Sequence, residues 1–241
     1  MRLLFQHSSS QAGEASGNGV YTRWKELGRD EVERIEERMH RRGVEKYDWL
    51  VLPETWVQAI PNYLPGFRKV IFNQNAYYTF GLAGEFNPAI APLYQHPDVR
   101  AVVSVSEDNR RLLQQALPIA PEAVYVVLNA IDPELFHPPA VKHRRIAFLP
   151  RKNPQHAEVV QLLARHRPAL VAYSFHPLVD LPHPQLAQQL RESLVFLNFG
   201  HPEGFGLPLA EAIACGCLVV GYHGLAGRDF CGDALYAVEV G

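Results

Sequence analysis

LVFLNFGHPEGFGLPLAEAIACGCLVVGY, residues 194–222, changes its period part-way along. Leu194 to Asn198 is a short apolar run of strand length, whereas Pro208 to Cys215 is apolar over a helical length. Between them lies a turn carrying Gly204 and Gly206, and Leu218 to Tyr222 reads as the next strand. This is a strand, loop, helix unit. The glycines let the backbone approach a ligand closely, and Pro208 suits a first helical turn because its missing N–H would have no intrahelical partner there. The remaining N–H groups of that turn, with the helix dipole, form an anion site able to hold a diphosphate.

Two carboxylates frame the site, Glu203 on the loop and Glu211 about one turn into the helix, with seven residues between them. A carboxylate accepts well from paired hydroxyls, so one can grip sugar hydroxyls and the other a ribose diol. A glutamate in a first turn also serves simply as a dipole partner, and that reading stays open.

Outward from this unit the same alternation recurs. Strands are expected at Met1–Phe5, Trp49–Leu52, Arg68–Asn73, Ala101–Val105 and Tyr125–Leu128, with helices over Glu26–Arg42 and Glu107–Ala116. The passage NAIDPELFHPPAVKH then carries three prolines, which places a boundary between domains 1–137 and 138–241. Beyond it, strands at Arg145–Leu149, Leu170–Tyr173, Leu194–Asn198 and Leu218–Tyr222 alternate with helices near His156–His166, Pro184–Ser193 and Pro208–Cys215. Such alternation predicts α/β architecture: two Rossmann-like, doubly wound parallel-sheet domains facing a cleft, the second short. Ligands of these sheets bind beyond the carboxyl ends of strands.

IAFLPRKNPQHAEVV puts Arg151 and Lys152 at a strand end, where cations can neutralise the phosphates of a leaving nucleotide; a solvated basic turn is the alternative. NQNAYYTF sets Asn75, Tyr77 and Tyr78 at a strand end of the first domain, as candidate acceptor-side residues. His201 precedes Glu203 and either touches a donor or caps the loop. His156, His166, His176 and His183 carry no ligand-like cluster with cysteines or carboxylates, so no metal is expected.

Composition narrows the classes. With 47% hydrophobic and 20% charged residues and a net charge of -2, the chain is globular, and nothing in it draws nucleic acid. Cys215, Cys217 and Cys231 form no C-x-x-C pair, which fits a reducing, cytoplasmic compartment. MRLLFQHSSS is too short in apolar residues for a signal segment, and no run approaches the roughly 20 residues of a membrane helix. Peripheral contact with the inner face of a membrane is left open.

The string EGFGLPLAE resembles the E-x7-E signature of glycosyltransferase family 4, a group 1, GT-B type family. The resemblance implies that Glu203 contacts the donor sugar and Glu211 the nucleotide ribose, while Gly204, Phe205, Gly206 and Leu207 lie against sugar and phosphates. It also maps Arg151, and less closely the adjacent Lys152, onto the family's diphosphate-binding cations, so Glu203, Arg151 and Lys152 are the candidate catalytic residues. VVLNAIDPELFHP is similar to the family's passage between domains, with Ala130 in place of a usual glycine. The loop Gly13–Gly19 corresponds in position to a loop near the donor phosphates, making Gly17 and Gly19 donor-side candidates; a plain surface loop is the alternative.

The resemblance further implies a retaining transferase that moves a sugar from a nucleotide-sugar donor to a glycan or lipid-linked acceptor, with no metal and no further cofactor. No D-x-D clamp occurs. The chain ends about 30 residues after Glu211, earlier than full-length relatives, which keeps a donor-binding module or an inactive remnant as the second reading. An epimerase fits less well, because Tyr21 and Lys25 give its Tyr-x-x-x-Lys spacing only beside a poor glycine motif.

Overall fold

The computed structural model describes residues 3–5, 49–81, 89–232 and 235–237. Two compact units divide the chain, Met1–Val127 and Leu128–Gly241. The expected helix over 26–42, the Tyr21 and Lys25 pair, and Gly17 and Gly19 lie outside the described residues.

In the first unit, β1 (Leu3–Phe5), β2 (Trp49–Pro53), β3 (Arg68–Asn73), β4 (Val99–Ser104) and β5 (Val124–Val126) pair in that order, every pair parallel. The short helices α1 (Ala76–Thr79) and α2 (Ile90–Tyr94) and the longer α3 (Glu107–Ala116) accompany them. Helix α3 starts where the sequence expects because the Ser106 hydroxyl accepts the Asn109 amide at 3.1 Å, satisfying one of the amides a helix start leaves over. Leu50, Leu52, Ile71 and Val102 from three strands meet Leu113 of α3, with Trp56 and Tyr63, in one core.

A carboxylic acid sits at the edge of that core. Glu54, directly after β2, is buried, and the loss of water pushes its carboxyl up to about 7 even though the Gln74 amide donates to it at 3.1 Å. The folded state therefore holds a proton that the unfolded chain, with an ordinary carboxyl near 4.5, has released. Stability from this group is complete below about pH 4.5 and is lost as pH rises through about 7, a difference of about 3 kcal/mol. Denaturant unfolding followed by tryptophan fluorescence checks this, since Trp24, Trp49 and Trp56 all belong to the first unit. Glu54→Gln is expected to flatten the decline between pH 5 and pH 8; an unchanged slope would remove Glu54 as its cause.

The second unit contains β6 (His143–Phe148), β7 (Ser174–Pro177), β8 (Ser193–Asn198), β9 (Leu218–Gly221) and β10 (Leu235–Ala237), in the order β10-β9-β8-β6-β7 and all parallel. Alternate residues of its strands feed two cores. Ala147, Phe196 and Val219 face α5 (His183–Glu192) and α6 (Leu207–Ala214), whereas Ile146, Phe148 and Leu197 face α4 (Pro154–Ala164). The period of two thus buries both faces, as a doubly wound parallel sheet requires.

Two expectations are corrected. The units divide after Val127 and not at 137, because Phe136, with Ile131 and Leu135, packs into the core of the second unit. The strand expected at Leu170–Tyr173 is found at Ser174–Pro177, while Pro168–Leu170 forms a 3-10 turn and Val171 stands exposed. Ser174–Pro177 pairs with β6 alone, and an edge strand carries neither a continuous apolar run nor a need for every N–H. No described helix is long and apolar enough to cross a membrane.

Candidate functional site

The strand order of the second sheet marks where a ligand crevice is to be sought. The chain leaves β6 to one side for β7 and returns to β8 on the other, with Phe148 and Leu197 in register across the reversal. Crevices beyond the carboxyl ends at such a point are where doubly wound sheets bind ligands. The segments emerging there are Leu149–Asn153 after β6 and Phe199–Gly206 after β8.

Side chains tie these two segments together. Asn153 adopts the left-handed conformation, φ 50° and ψ 50°, at the start of α4. Its side chain leaves the helix uncapped and donates to the Phe199 carbonyl at 2.9 Å and the His201 carbonyl at 3.5 Å. Lys152 Nζ donates to the Pro202 carbonyl at 2.8 Å and lies 2.9 Å from Glu203 Oε1. Both side chains of the ion pair are largely shielded, at 18% and 15% exposed, so each charge depends on the other more than a surface pair would.

The turn after β9 completes the frame around Glu203. The Glu203 amide donates to the Gly224 carbonyl at 2.8 Å, and Glu203 bridges to Leu225 in parallel. Gly224 has φ +70°, and a Cβ there would stand 2.9 Å from the Gly200 carbonyl and 3.0 Å from Glu203 Cβ. Leu225 occupies a strained γ-turn conformation, φ 76° and ψ −70°, and its amide donates to His223 Nδ1 at 2.9 Å. Gly200 gives the carboxylate room, since a Cβ on it would lie 2.8 Å from Glu203 Oε1.

Helix α6 starts at Gly206, φ 92°, with no side chain capping it, and its first intrahelical amide bond runs from Ala210 to Gly206 at 3.1 Å. The amides of its first turn have no acceptor one turn back, which leaves the positive end of the helix beside the Glu203 loop. Glu211, one turn in, is 6% exposed, and His183 at the first position of α5 brings Nε2 to 3.2 Å from Glu211 Oε1. The sequence offers no sign of this pair, which is one histidine on one carboxylate and not a ligand cluster. Among the described residues no group of three or more histidines, cysteines or acidic residues converges.

The remaining site residues divide. Lys152, and not Arg151, is the cation on Glu203; Arg151 sits exposed in the turn. The Phe205 ring is buried and stacked on Phe230, with centroids 4.9 Å apart, so it holds the loop. Leu207 is 41% exposed at the first position of α6. His201 lies edge-on to Tyr222, and burial together with the Lys152 charge holds its imidazole below the usual range, against the opposing pull of Glu203. A histidine so placed is neutral at pH 7.

In the first unit, Asn75 is buried and caps α1, its Oδ1 accepting the Tyr77 amide at 3.1 Å, and the Tyr77 hydroxyl donates to Asp108 at 2.6 Å. Tyr78 is half-buried beside them. Asn75 Oδ1 and the Tyr77 hydroxyl are thus engaged in holding α1. The contacts of Asn153, His183, Gly200 and Gly224 have no signal in the sequence beyond the turn composition HGLAG, which hints at the last.

No family model matches the chain. An alpha-1,6-glucosyltransferase of Actinobacillus pleuropneumoniae serotype 7 is 26% identical over 165 residues, which cover 65% of this chain and 46% of that protein. The chain therefore spans about half the length of that curated relative. Solved structures are similar over more of the chain. TarM superposes with a TM-score of 0.63 at 14% identity, over 86% of this chain and 47% of TarM. Sucrose-phosphate synthase of Thermosynechococcus elongatus gives 0.59 at 15% identity, over 86% and 63%. HepE of Anabaena, in complex with UDP and glucose, gives 0.56 at 15%, over 83% and 64%. The chain has the GT-B glycosyltransferase fold. Within the second unit, Lys152 and Glu203 pair at the ends of β6 and β8, and Glu211 lies one turn into α6.

Proposed function

We propose that the second unit carries the nucleotide-sugar site of a glycosyltransferase, which moves a sugar onto a hydroxyl of a glycan or lipid-linked acceptor. The observation that carries this reading is the shielded Lys152–Glu203 pair at the β6/β8 switch point, beside an uncapped helix start. The donor diphosphate lies against the first-turn amides of α6 and the Lys152 ammonium. Glu203 accepts from sugar hydroxyls and Glu211 from the ribose diol. When the bond between the anomeric carbon and the phosphate oxygen breaks, negative charge grows on that oxygen, and Lys152 and the helix terminus stabilise it where it appears. The same oxygen then takes the proton of the acceptor hydroxyl as the new glycosidic bond forms on the face the phosphate left. Configuration is retained and neither a protein nucleophile nor a metal is used.

Support for a nucleotide-sugar donor comes from the UDP and glucose complex of HepE. Reduced, buried Cys215, Cys217 and Cys231 support a cytoplasmic setting, and a lipid-linked acceptor would be met at the inner face of the membrane.

Calorimetric titration with UDP, GDP, ADP and their sugar derivatives tests the donor site. One nucleotide series is expected to bind saturably, and Glu211→Gln to weaken it about tenfold to thirtyfold, the loss of one charge-assisted hydrogen bond. Absence of binding across the series by folded protein would defeat the reading. Binding without transfer to any hydroxyl acceptor would reduce it to a donor-binding module, and a trapped covalent glycosyl-protein adduct would overturn the mechanism.

A further inference from the structure

The Glu211 carboxylate is buried on α6, yet the histidine that pairs with it comes from a different element. His183 opens α5 with a side chain 56% exposed, its ring against that of Phe136 with centroids 5.0 Å apart and planes tilted by 60°. Its Nε2 stands 3.2 Å from Glu211 Oε1. A carboxylate can only accept, so Nε2 carries the hydrogen and the imidazole is the donor. The rest of the ring is held by Phe136, whose side chain is itself sunk in the core of the second unit, 3% exposed. A donor packed on a buried ring therefore engages one oxygen of Glu211.

That arrangement has a consequence for a ligand. Oε1 is fixed in place by the imidazole, and the lone pairs left over, chiefly those of Oε2, are presented in one direction. A diol needs this: two neighbouring hydroxyls are gripped well only by a carboxylate whose rotation is stopped beforehand, because otherwise binding must also freeze the side chain. We propose that His183 is a positioning residue that fixes the Glu211 carboxylate for the ribose diol of the donor nucleotide. The proposal rests on the donor-site reading above and adds to it the group that selects a ribonucleotide over its deoxy counterpart.

The test is a set of calorimetric titrations with UDP and 2′-deoxy-UDP on the whole chain and on His183→Phe, His183→Asn, Glu211→Gln and the His183→Phe/Glu211→Gln double variant. Phenylalanine keeps a ring against Phe136 and removes the donor; asparagine restores an N–H donor. His183→Phe is expected to lower UDP affinity about threefold to tenfold, the effect of one hydrogen bond, and to leave 2′-deoxy-UDP affinity unchanged. His183→Asn should recover part of the loss, and the double variant should bind UDP no more weakly than Glu211→Gln. If Glu211→Gln weakens UDP binding while His183→Phe does not, or if His183→Phe weakens both nucleotides equally, the positioning role is wrong and the donor site stands. If UDP does not bind, the same titrations are run with GDP or ADP and their 2′-deoxy forms; if no nucleotide binds, or Glu211→Gln has no effect, the donor-site reading fails and this proposal with it.

Discussion

Lys152→Ala is expected to lower the rate of sugar transfer about 10²- to 10³-fold, the usual result of removing one preorganised charge from a site where negative charge develops. Two losses combine. The leaving phosphate loses the cation next to the α6 terminus, and the Glu203 carboxylate, only 15% exposed, loses the partner 2.9 Å away. The second loss also affects the ground state, so KM for the donor should rise as kcat falls. Lys152→Arg keeps the charge, but a larger, planar guanidinium in the shielded place of Nζ shifts the donors from the Pro202 carbonyl and Glu203, so an intermediate rate is expected. Arg151→Ala, in the exposed turn one residue earlier, should change the rate by no more than about threefold, as exposed charges do. Steady-state kinetics of the three variants decide the point: a loss at Arg151 matching that at Lys152 would mean that the phosphates are held from the other side of the turn.

That contrast shows where the sequence is readable. Local rules act within a few residues, and their products are legible: the bounds of β3 and α3 follow from an apolar run and from the Ser106 cap. The Glu203 to Glu211 loop and helix are equally so, because the glycines, Pro208 and both carboxylates lie within one segment. Which of two adjacent cations turns toward Glu203 depends on the left-handed Asn153 and on carbonyls about 50 residues away, and no local pattern records that. His183 meets Glu211 across 28 residues, and Asn75 and Tyr77 spend their polar atoms on α1 and Asp108, contacts equally invisible in the string NQNAYYTF. The displaced β7 has another cause. ALVAY has the composition of a strand, but the strand at the sheet edge is built from the less apolar SFHP because only one side of it needs partners.

A second large effect is expected from a substitution that changes no charge. In Gly200→Ala the new Cβ would stand 2.8 Å from Glu203 Oε1 and 3.3 Å from Asn198 Oδ1, both ends of side chains and not backbone. The protein can therefore relieve the clash by turning the Glu203 carboxylate aside, and stability should fall by no more than about 1 kcal/mol. Gly221 shows the opposite situation, since a Cβ there would meet the Asn198 carbonyl oxygen, which belongs to the sheet itself, and only the sheet could give way. Turning the carboxylate separates it from Lys152 and from its place on the sugar, and a misplacement of about 1 Å at a reacting centre costs about 100-fold. Gly200→Ala should thus lose no more than about 1 kcal/mol of stability yet about 100-fold in transfer, with nucleotide affinity at the Glu211 end little altered. Calorimetry with the free nucleotide, unfolding curves and transfer rates on the same sample separate these quantities. A variant that transfers sugar at the wild-type rate would show that Glu203 does not act from the position in which Gly200 and Lys152 hold it, and the catalytic role would then have to leave Glu203.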